Sequence, residues 1–139
     1  MFDTLGKGKV VSVDIKANDD RPQHDRIKYI TGSSIDDAVI EQIKSCADNA
    51  KSVTVILDSD HKADYKLREM MAYSQFVSNG NYLIAEDSCF DYYPAWPEFG
   101  PGPATAVRDF LKQSDAFEVD RFPEKHLITF APMAFLKKK

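Results

Sequence analysis

Short apolar runs alternate with amphipathic stretches along the chain. Runs of about four to eight residues, rich in β-branched side chains, are typical of strands buried in a sheet. Such runs predict strands at residues 9–15, 27–31, 53–57, 82–85, 117–120 and 127–130. Apolar positions at helical spacing predict helices that begin near residues 34, 63 and 103. Strands that alternate with helices predict an α/β fold with a mostly parallel sheet.

The last two predicted strands are joined only by residues 121–126. A link of this length permits an antiparallel hairpin but not the crossover that parallel strands need. We therefore expect one domain over residues 1–139, with a sheet that is parallel until this closing hairpin.

Acidic residues follow two of the predicted strands. Asp60 comes shortly after the run at 53–57, and Glu86 and Asp87 directly follow the run at 82–85. The carboxyl ends of neighbouring parallel strands meet at the edge where open α/β sheets bind ligands. Carboxylates gathered there repel one another unless a cation neutralises them, and Mg²⁺ prefers oxygen ligands. We expect these three acids to bind Mg²⁺; the alternative is that they are solvated loop acids.

Composition narrows the class of protein. The chain has 139 residues, 43% of them hydrophobic, and a formal net charge of −4, which fits a globular domain and does not indicate a nucleic-acid partner. No apolar run approaches the length of a membrane span and no signal peptide is evident, so we expect a soluble, cytoplasmic protein. Cys46 and Cys89 lack a zinc spacing and are expected to be free thiols.

Two further groups of residues are candidates for ligand contacts. Asp14 lies at the end of the first predicted strand, where a carboxylate in nucleotide-binding sheets accepts hydrogen bonds from ribose hydroxyls. Ser33 and Ser34 precede a predicted helix, where they serve either as caps or as ligand contacts. A long aromatic loop follows Asp87, and its rings either wall a substrate pocket or cover exposed core. The aromatic candidates are Tyr92, Tyr93, Trp96 and Phe99.

Five motifs together resemble the cephalosporin hydroxylase family, which is related to rhamnosyl O-methyltransferases and has the fold of methyltransferases that depend on S-adenosylmethionine (SAM). The motifs are Val11-Ser-Val-Asp14-Ile15, Ile30-Thr-Gly32-Ser33-Ser34, Leu57-Asp-Ser-Asp60-His61, Tyr82-Leu-Ile-Ala-Glu86-Asp87 and Pro97-Glu-Phe-Gly-Pro-Gly-Pro103. The resemblance runs from about residue 9 to the end of the chain. It implies a Rossmann-like SAM-methyltransferase fold.

The resemblance also implies roles for individual residues. Asp60, Glu86 and Asp87 would be the Mg²⁺ ligands. Asp14 would hold the ribose of SAM, and Ser33 with Ser34 its adenine end. His61 would lie beside the cofactor as a catalytic residue; the alternative is a histidine at a helix N-terminus with no ligand. The implied reaction is Mg²⁺-assisted methyl transfer from SAM to a hydroxyl of a small molecule, a sugar or a secondary metabolite.

One feature of the family is missing from this sequence. The family begins with another strand and a glycine-rich loop that holds the methionine half of SAM, whereas this sequence starts at what would be the second strand. The resemblance therefore implies an N-terminally truncated domain: a truncated reading frame, a degenerate relative, or a protomer whose exposed sheet edges are covered in an oligomer. Of these, we favour a homodimer. The rival hypotheses are a non-catalytic remnant that binds a metal or a nucleoside-like ligand, an oligomerisation module, and an NAD-binding Rossmann half.

Overall fold

The computed structural model describes residues 7–91, 99–126 and 128–139. Their contacts divide the chain into two compact units, Met1–Asn49 and Ala50–Lys139. The strands are β1 (Val10–Asp14), β2 (Ile27–Thr31), β3 (Val55–Leu57), β4 (Tyr82–Ala85), β5 (Phe117–Val119) and β6 (Phe135–Lys138). The α-helices are α1 (Asp37–Ala47), α2 (Ala63–Tyr73) and α3 (Pro103–Gln113). None of the helices in these ranges has the length and apolar character needed to cross a membrane.

The first unit is built on a pair of parallel strands. β1 and β2 pair in register from Val10 with Ile27 to Asp14 with Thr31. Gly32 follows β2 with a φ of 152°, and a Cβ there would lie 2.7 Å from Val39 Cγ2. Glycine at this position therefore lets α1 pack close to the end of β2.

The second unit contains a four-stranded sheet in the order β3-β4-β6-β5. β3 and β4 are parallel, whereas β6 is antiparallel to both β4 and β5. Leu83 and Leu136, on adjacent strands, have no exposed surface. α3 adds Phe110, whose ring contacts that of Phe117 with centroids 5.4 Å apart. These side chains form the core of the unit, and the parallel pair β3-β4 lies at one side of its sheet.

The predicted strand at 127–130 is wrong, because residues 128–130 are not part of a strand and the second hairpin strand is β6 at Phe135–Lys138. A 3₁₀ helix, Phe122–His126, follows β5, and Ile128 and Phe130 are 87% and 73% exposed. The expected antiparallel pairing of the last two strands is confirmed, through a longer connection than predicted.

Two smaller expectations about the elements are also wrong. α1 has Asp36 as its N-cap residue, two residues after Ser34 and three after Ser33, so neither serine is the N-cap. β3 is not buried on both sides, since Leu57 is 5% exposed and Ile56 is 58% exposed.

A hydrogen bond between side chains ties β4 to the end of β5 across the intervening β6. The Tyr82 hydroxyl donates to Asp120 Oδ2 over 2.6 Å. This bond lowers the pKa of the Asp120 carboxyl, aided by the backbone N–H of Phe122, and raises the pKa of the Tyr82 hydroxyl. A depressed carboxyl pKa contributes stability that is present above the unfolded pKa and lost as the pH falls through the folded pKa.

Tyr82→Phe is therefore expected to raise the pKa of Asp120 toward its ordinary value of 3.8. The variant should also lose less stability on acidification than the native chain, because less of that stability depends on an ionised Asp120. NMR titration of the Asp120 carboxyl carbon measures the shift. An identical titration curve in the two proteins would show that the hydrogen bond does not govern this group.

Candidate functional site

Parallel pairing of β3 and β4 brings two acidic segments to one edge of the second unit. Leu57 pairs with Ala85 at the end of the ladder, and the Glu86 amide then donates to the Leu57 carbonyl over 3.0 Å. Asp58 and Asp87 follow within two residues of that last rung. The predicted convergence of the two strand ends is thus present in the structure.

Three side chains form a compact group at this edge: Asp58, His61 and Asp87. Each offers one ligand atom, and these atoms lie within 4.8 Å of one another. His61 Nδ1 is 3.5 Å from Asp87 Oδ2. That nitrogen is buried and has no hydrogen-bond partner among the described residues. We refer to these three residues as the edge cluster.

The backbone at Asp87 has an unusual conformation. Its φ is 58°, in the left-handed region that residues other than glycine seldom adopt, although Asp and Asn do so more readily than most. Such a conformation costs of order 1–3 kcal/mol for a non-glycine residue and is found most often at functional sites. Here it occurs at the residue whose carboxylate faces His61.

Aromatic rings cover one side of His61. The ring of Phe90 meets the imidazole edge to face with centroids 5.5 Å apart, and the ring of Phe99 lies 6.3 Å away. The two phenylalanine rings also contact each other, at 5.2 Å. Phe99 was predicted to line a substrate pocket, and it borders the edge cluster. Tyr92, Tyr93 and Trp96, predicted for the same pocket, lie outside the described residues.

A buried ion pair on α2 lies behind the cluster. Lys66 has no exposed surface and Glu69 is 1% exposed. Lys66 Nζ is 3.6 Å from Glu69 Oε2 and donates to the Leu57 carbonyl over 3.1 Å. Burial lowers the pKa of the Lys66 ammonium, against the opposing effects of Glu69, Asp58 and Asp87. Sequence reasoning missed this pair.

The segment beside the aromatic rings is anchored to the start of α3. Asp91 accepts hydrogen bonds from the backbone N–H groups of Gly102 and Thr105, and so caps the helix from a distance. A Cβ at Gly102 would lie 2.8 Å from Asp91 Oδ1, so the glycine permits this approach. The Pro101 carbonyl in turn accepts a bond from the Ala63 N–H at the start of α2. The loop that carries His61 is therefore fixed at its helical end.

Two of the predicted metal ligands lie next to the edge cluster without belonging to it. Asp60 is exposed, and its Oδ1 accepts a hydrogen bond from the Lys62 N–H at the start of α2. Glu86 is half-buried directly before Asp87. Asp87 is the residue common to the predicted set and the edge cluster.

The predicted nucleotide contacts lie in the first unit. Asp14 ends β1, and its carboxylate accepts a hydrogen bond from the Lys16 N–H and pairs with Arg21 at 2.9 Å. These two contacts hold the pKa of the carboxyl below its usual value. Ser33 and Ser34 are half-buried directly after the turn at Gly32. A ribose at Asp14 would share the carboxylate with Arg21.

The edge cluster has donors that suit a divalent cation. Two carboxylates supply charge, and an imidazole nitrogen without a hydrogen bond among the described residues supplies a lone pair. Mg²⁺ and Mn²⁺ favour carboxylate oxygens, and imidazole is tolerated by first-row transition ions. The residues present therefore fit a cation bound by Asp58, His61 and Asp87.

Comparison with known proteins decides the family. The model of the family described as Rhamnosyl O-methyltransferase/CmcI matches residues 1–139. The chain belongs to this family. A rhamnosyl O-methyltransferase of Mycobacterium tuberculosis is 36% identical over 122 residues, which cover 85% of this chain and 46% of that protein. The rhamnosyl O-methyltransferase of Mycobacterium leprae is 35% identical over 136 residues, 94% of this chain and 59% of that protein.

A solved structure has the same fold as this family member. MycE methyltransferase from the mycinamycin biosynthetic pathway, in complex with Mg and SAH, matches with a TM-score of 0.56 and 20% identity over 94% of this chain and 37% of that chain. The predicted Rossmann-like methyltransferase fold is thereby confirmed. This family member spans about half the length of the curated relatives that it matches.

Proposed function

We propose that this chain forms part of a SAM-dependent O-methyltransferase in which a divalent cation assists methyl transfer to a hydroxyl of a small molecule, a sugar or a secondary metabolite. The observation that carries the proposal is the edge cluster, at the strand ends where a sheet of this fold binds ligands. Family membership supports the reaction class. The Mg and SAH in the MycE complex support the pair of cofactors.

The residues of the cluster have distinct tasks in this proposal. Asp58 and Asp87 would hold the cation together with His61 Nδ1. When bound, SAM supplies an electrophilic methyl group, and the cation lowers the pKa of the acceptor hydroxyl and fixes its oxygen. Phe90 and Phe99 shield His61 from water on one side. Asp14, Ser33 and Ser34 remain the proposed contacts for the nucleoside of SAM.

His61 has a second candidate role, as the catalytic base that takes the acceptor's proton. Its Nδ1 lies 3.5 Å from Asp87 Oδ2, and a carboxylate beside an imidazole can hold the ring in position for proton transfer. His61→Gln separates the two roles. A ligand role predicts weaker cation binding, whereas a role as base alone predicts unchanged cation binding and a slower reaction.

The predicted ligands Asp60 and Glu86 give an alternative cation set that shares Asp87. Matched variants Asp58→Asn and Asp60→Asn distinguish the sets, because the two acids are separated by a single residue and both are exposed. If the edge cluster holds the cation, only the first variant weakens Mg²⁺ binding substantially. If instead only Asp60→Asn weakens Mg²⁺ binding, the cation belongs to the predicted set Asp60, Glu86 and Asp87.

Calorimetry with SAM, with and without Mg²⁺, tests the function itself. The proposal predicts that the chain binds both SAM and Mg²⁺. Binding of Mg²⁺ without SAM would favour a non-catalytic remnant that retains the metal site. Absence of binding by either ligand would contradict both hypotheses. Sedimentation analysis of the same sample tests the proposed homodimer.

A further inference from the structure

Lys66 is buried at the base of the site. Its side chain has no exposed surface, so the ammonium cannot reach a substrate. Placing an ammonium ion in a protein interior is costly unless it is paired and hydrogen-bonded. An apolar residue of similar length, such as methionine, would fill the same space without that cost. The position of the charge therefore needs an explanation beyond packing.

The hydrogen bonds of Lys66 converge on the residues that flank Asp58. Nζ donates to the carbonyl of Leu57, directly before Asp58, over 3.1 Å, and to the hydroxyl of Ser59, directly after it, over 3.4 Å. The Ser59 hydroxyl in turn donates to Glu69 Oε2. Both neighbours of Asp58 are thus tied to one helix, α2.

These bonds act at the last residue of β3 and just beyond it. β3 ends at Leu57 and α2 begins at Ala63, so residues 58–62 belong to neither the strand nor the helix. Asp58 is exposed, and none of the described residues donates a hydrogen bond to its side chain. Its orientation toward His61 and Asp87 consequently depends on the backbone on either side of it.

We propose that Lys66 is a positioning residue for the cation site: it holds the Leu57 carbonyl on one side of Asp58 and the Ser59 hydroxyl on the other, so that the Asp58 carboxylate faces His61 and Asp87. The inference rests on the proposed function. Glu69 balances the buried charge and completes the network through Ser59. Residues that orient metal ligands in this way typically change metal affinity by about 10- to 100-fold when replaced.

The test uses the double variant Lys66→Met/Glu69→Leu. Replacing a buried ion pair with apolar residues of similar size is often neutral for stability, whereas replacing one partner is not. The double variant thus removes the hydrogen bonds to Leu57 and Ser59 while leaving the core filled. The matched control is Lys112→Met/Asp109→Leu, which removes an exposed pair, also three residues apart, on α3 of the same unit.

Mn²⁺ affinity, followed by electron paramagnetic resonance, is the readout, with thermal unfolding measured on the same samples. We expect the Lys66→Met/Glu69→Leu protein to bind Mn²⁺ at least about tenfold more weakly than the native chain, while the control binds as the native chain does. Unchanged or tighter binding by a folded Lys66→Met/Glu69→Leu protein would overturn the positioning role. Absence of Mn²⁺ binding by the native chain would instead overturn the cation site, and this inference with it.

If that double variant does not fold, Ser59→Ala provides the second measurement. It removes one of the two flanking bonds and leaves the buried pair in place. A positioning role then predicts a smaller loss of Mn²⁺ affinity in the same direction. Native affinity in Ser59→Ala, with native stability, would contradict it.

Discussion

Asp87→Asn is expected to weaken Mg²⁺ binding about 100-fold, equivalent to about 2.7 kcal/mol. Asp87 belongs to both candidate ligand sets, so its charge matters whichever acids complete the site. Asparagine tolerates the left-handed backbone conformation that Asp87 adopts, with a φ of 58°. The substitution therefore removes the charge without disturbing the backbone.

Calorimetric titration with Mg²⁺ measures this effect, and Asp64→Asn is the control. Asp64 is an exposed acid in the first turn of α2, close in sequence to His61 and outside the edge cluster. The control should bind Mg²⁺ like the native chain, and both variants should unfold at the native temperature. Equal affinities in all three proteins would show that the two strand ends carry only solvated acids.

Glu69→Leu should lower the free energy of unfolding by about 3–5 kcal/mol, because it leaves the Lys66 ammonium buried and unpaired. Lys66 and Glu69 side chains are 0% and 2% exposed, so solvent does little to screen their interaction. Adding Lys66→Met to this variant should recover most of the loss. Asp109→Leu, which breaks an exposed pair on α3, should change stability by less than about 1 kcal/mol.

The effect of Glu69→Leu also depends on pH. Burial already holds the pKa of Lys66 below its ordinary value of 10.5, and removal of Glu69 lowers this pKa further. The unfolded chain then binds more protons than the folded chain between the folded and unfolded pKa values, so stability rises with pH through that window. Urea unfolding at neutral and alkaline pH should show the deficit shrinking as the pH rises, because Lys66 loses its charge at a lower pH in the folded variant than in the folded native chain. A deficit that does not change with pH would indicate that Lys66 is not the group responsible.

Much of the fold follows from local patterns in the sequence. Strands β2 and β4 were predicted with their observed bounds, because each is a compact apolar run between polar turns. β6 was missed because lysines at 137 and 138 resemble a solvated tail. In the structure Leu136 is fully buried, and Lys138 Nζ donates to the carbonyls of Ser74 and Val77. Such long-range contacts leave no periodic signal.

The buried pair was missed for a related reason. Charged residues on a helix normally mark its solvated face, so Lys66 and Glu69 were not assigned to the core. Their spacing did contain a signal, since Lys66 and Glu69 lie on the same helical face as the buried residues Met70 and Tyr73.

The sheet edge that carries the acids was predictable, but which of those acids form the edge cluster was not. Asp58 and Asp60 both follow β3, and either is close enough in sequence to reach Asp87. In the structure Asp60 bonds to the Lys62 N–H, while Asp58 faces His61 and Asp87. That choice depends on loop dihedrals and on the contacts of Lys66, which sequence patterns do not encode.

Anomalous diffraction from crystals grown with Mn²⁺ tests the cation site most directly. We predict an anomalous difference peak at bonding distance from an Asp87 carboxylate oxygen, with Asp58 and His61 Nδ1 as further ligands. Crystals grown with excess Mn²⁺ that show no anomalous peak beside Asp87 would contradict the central claim that the carboxyl ends of β3 and β4 build a divalent-cation site.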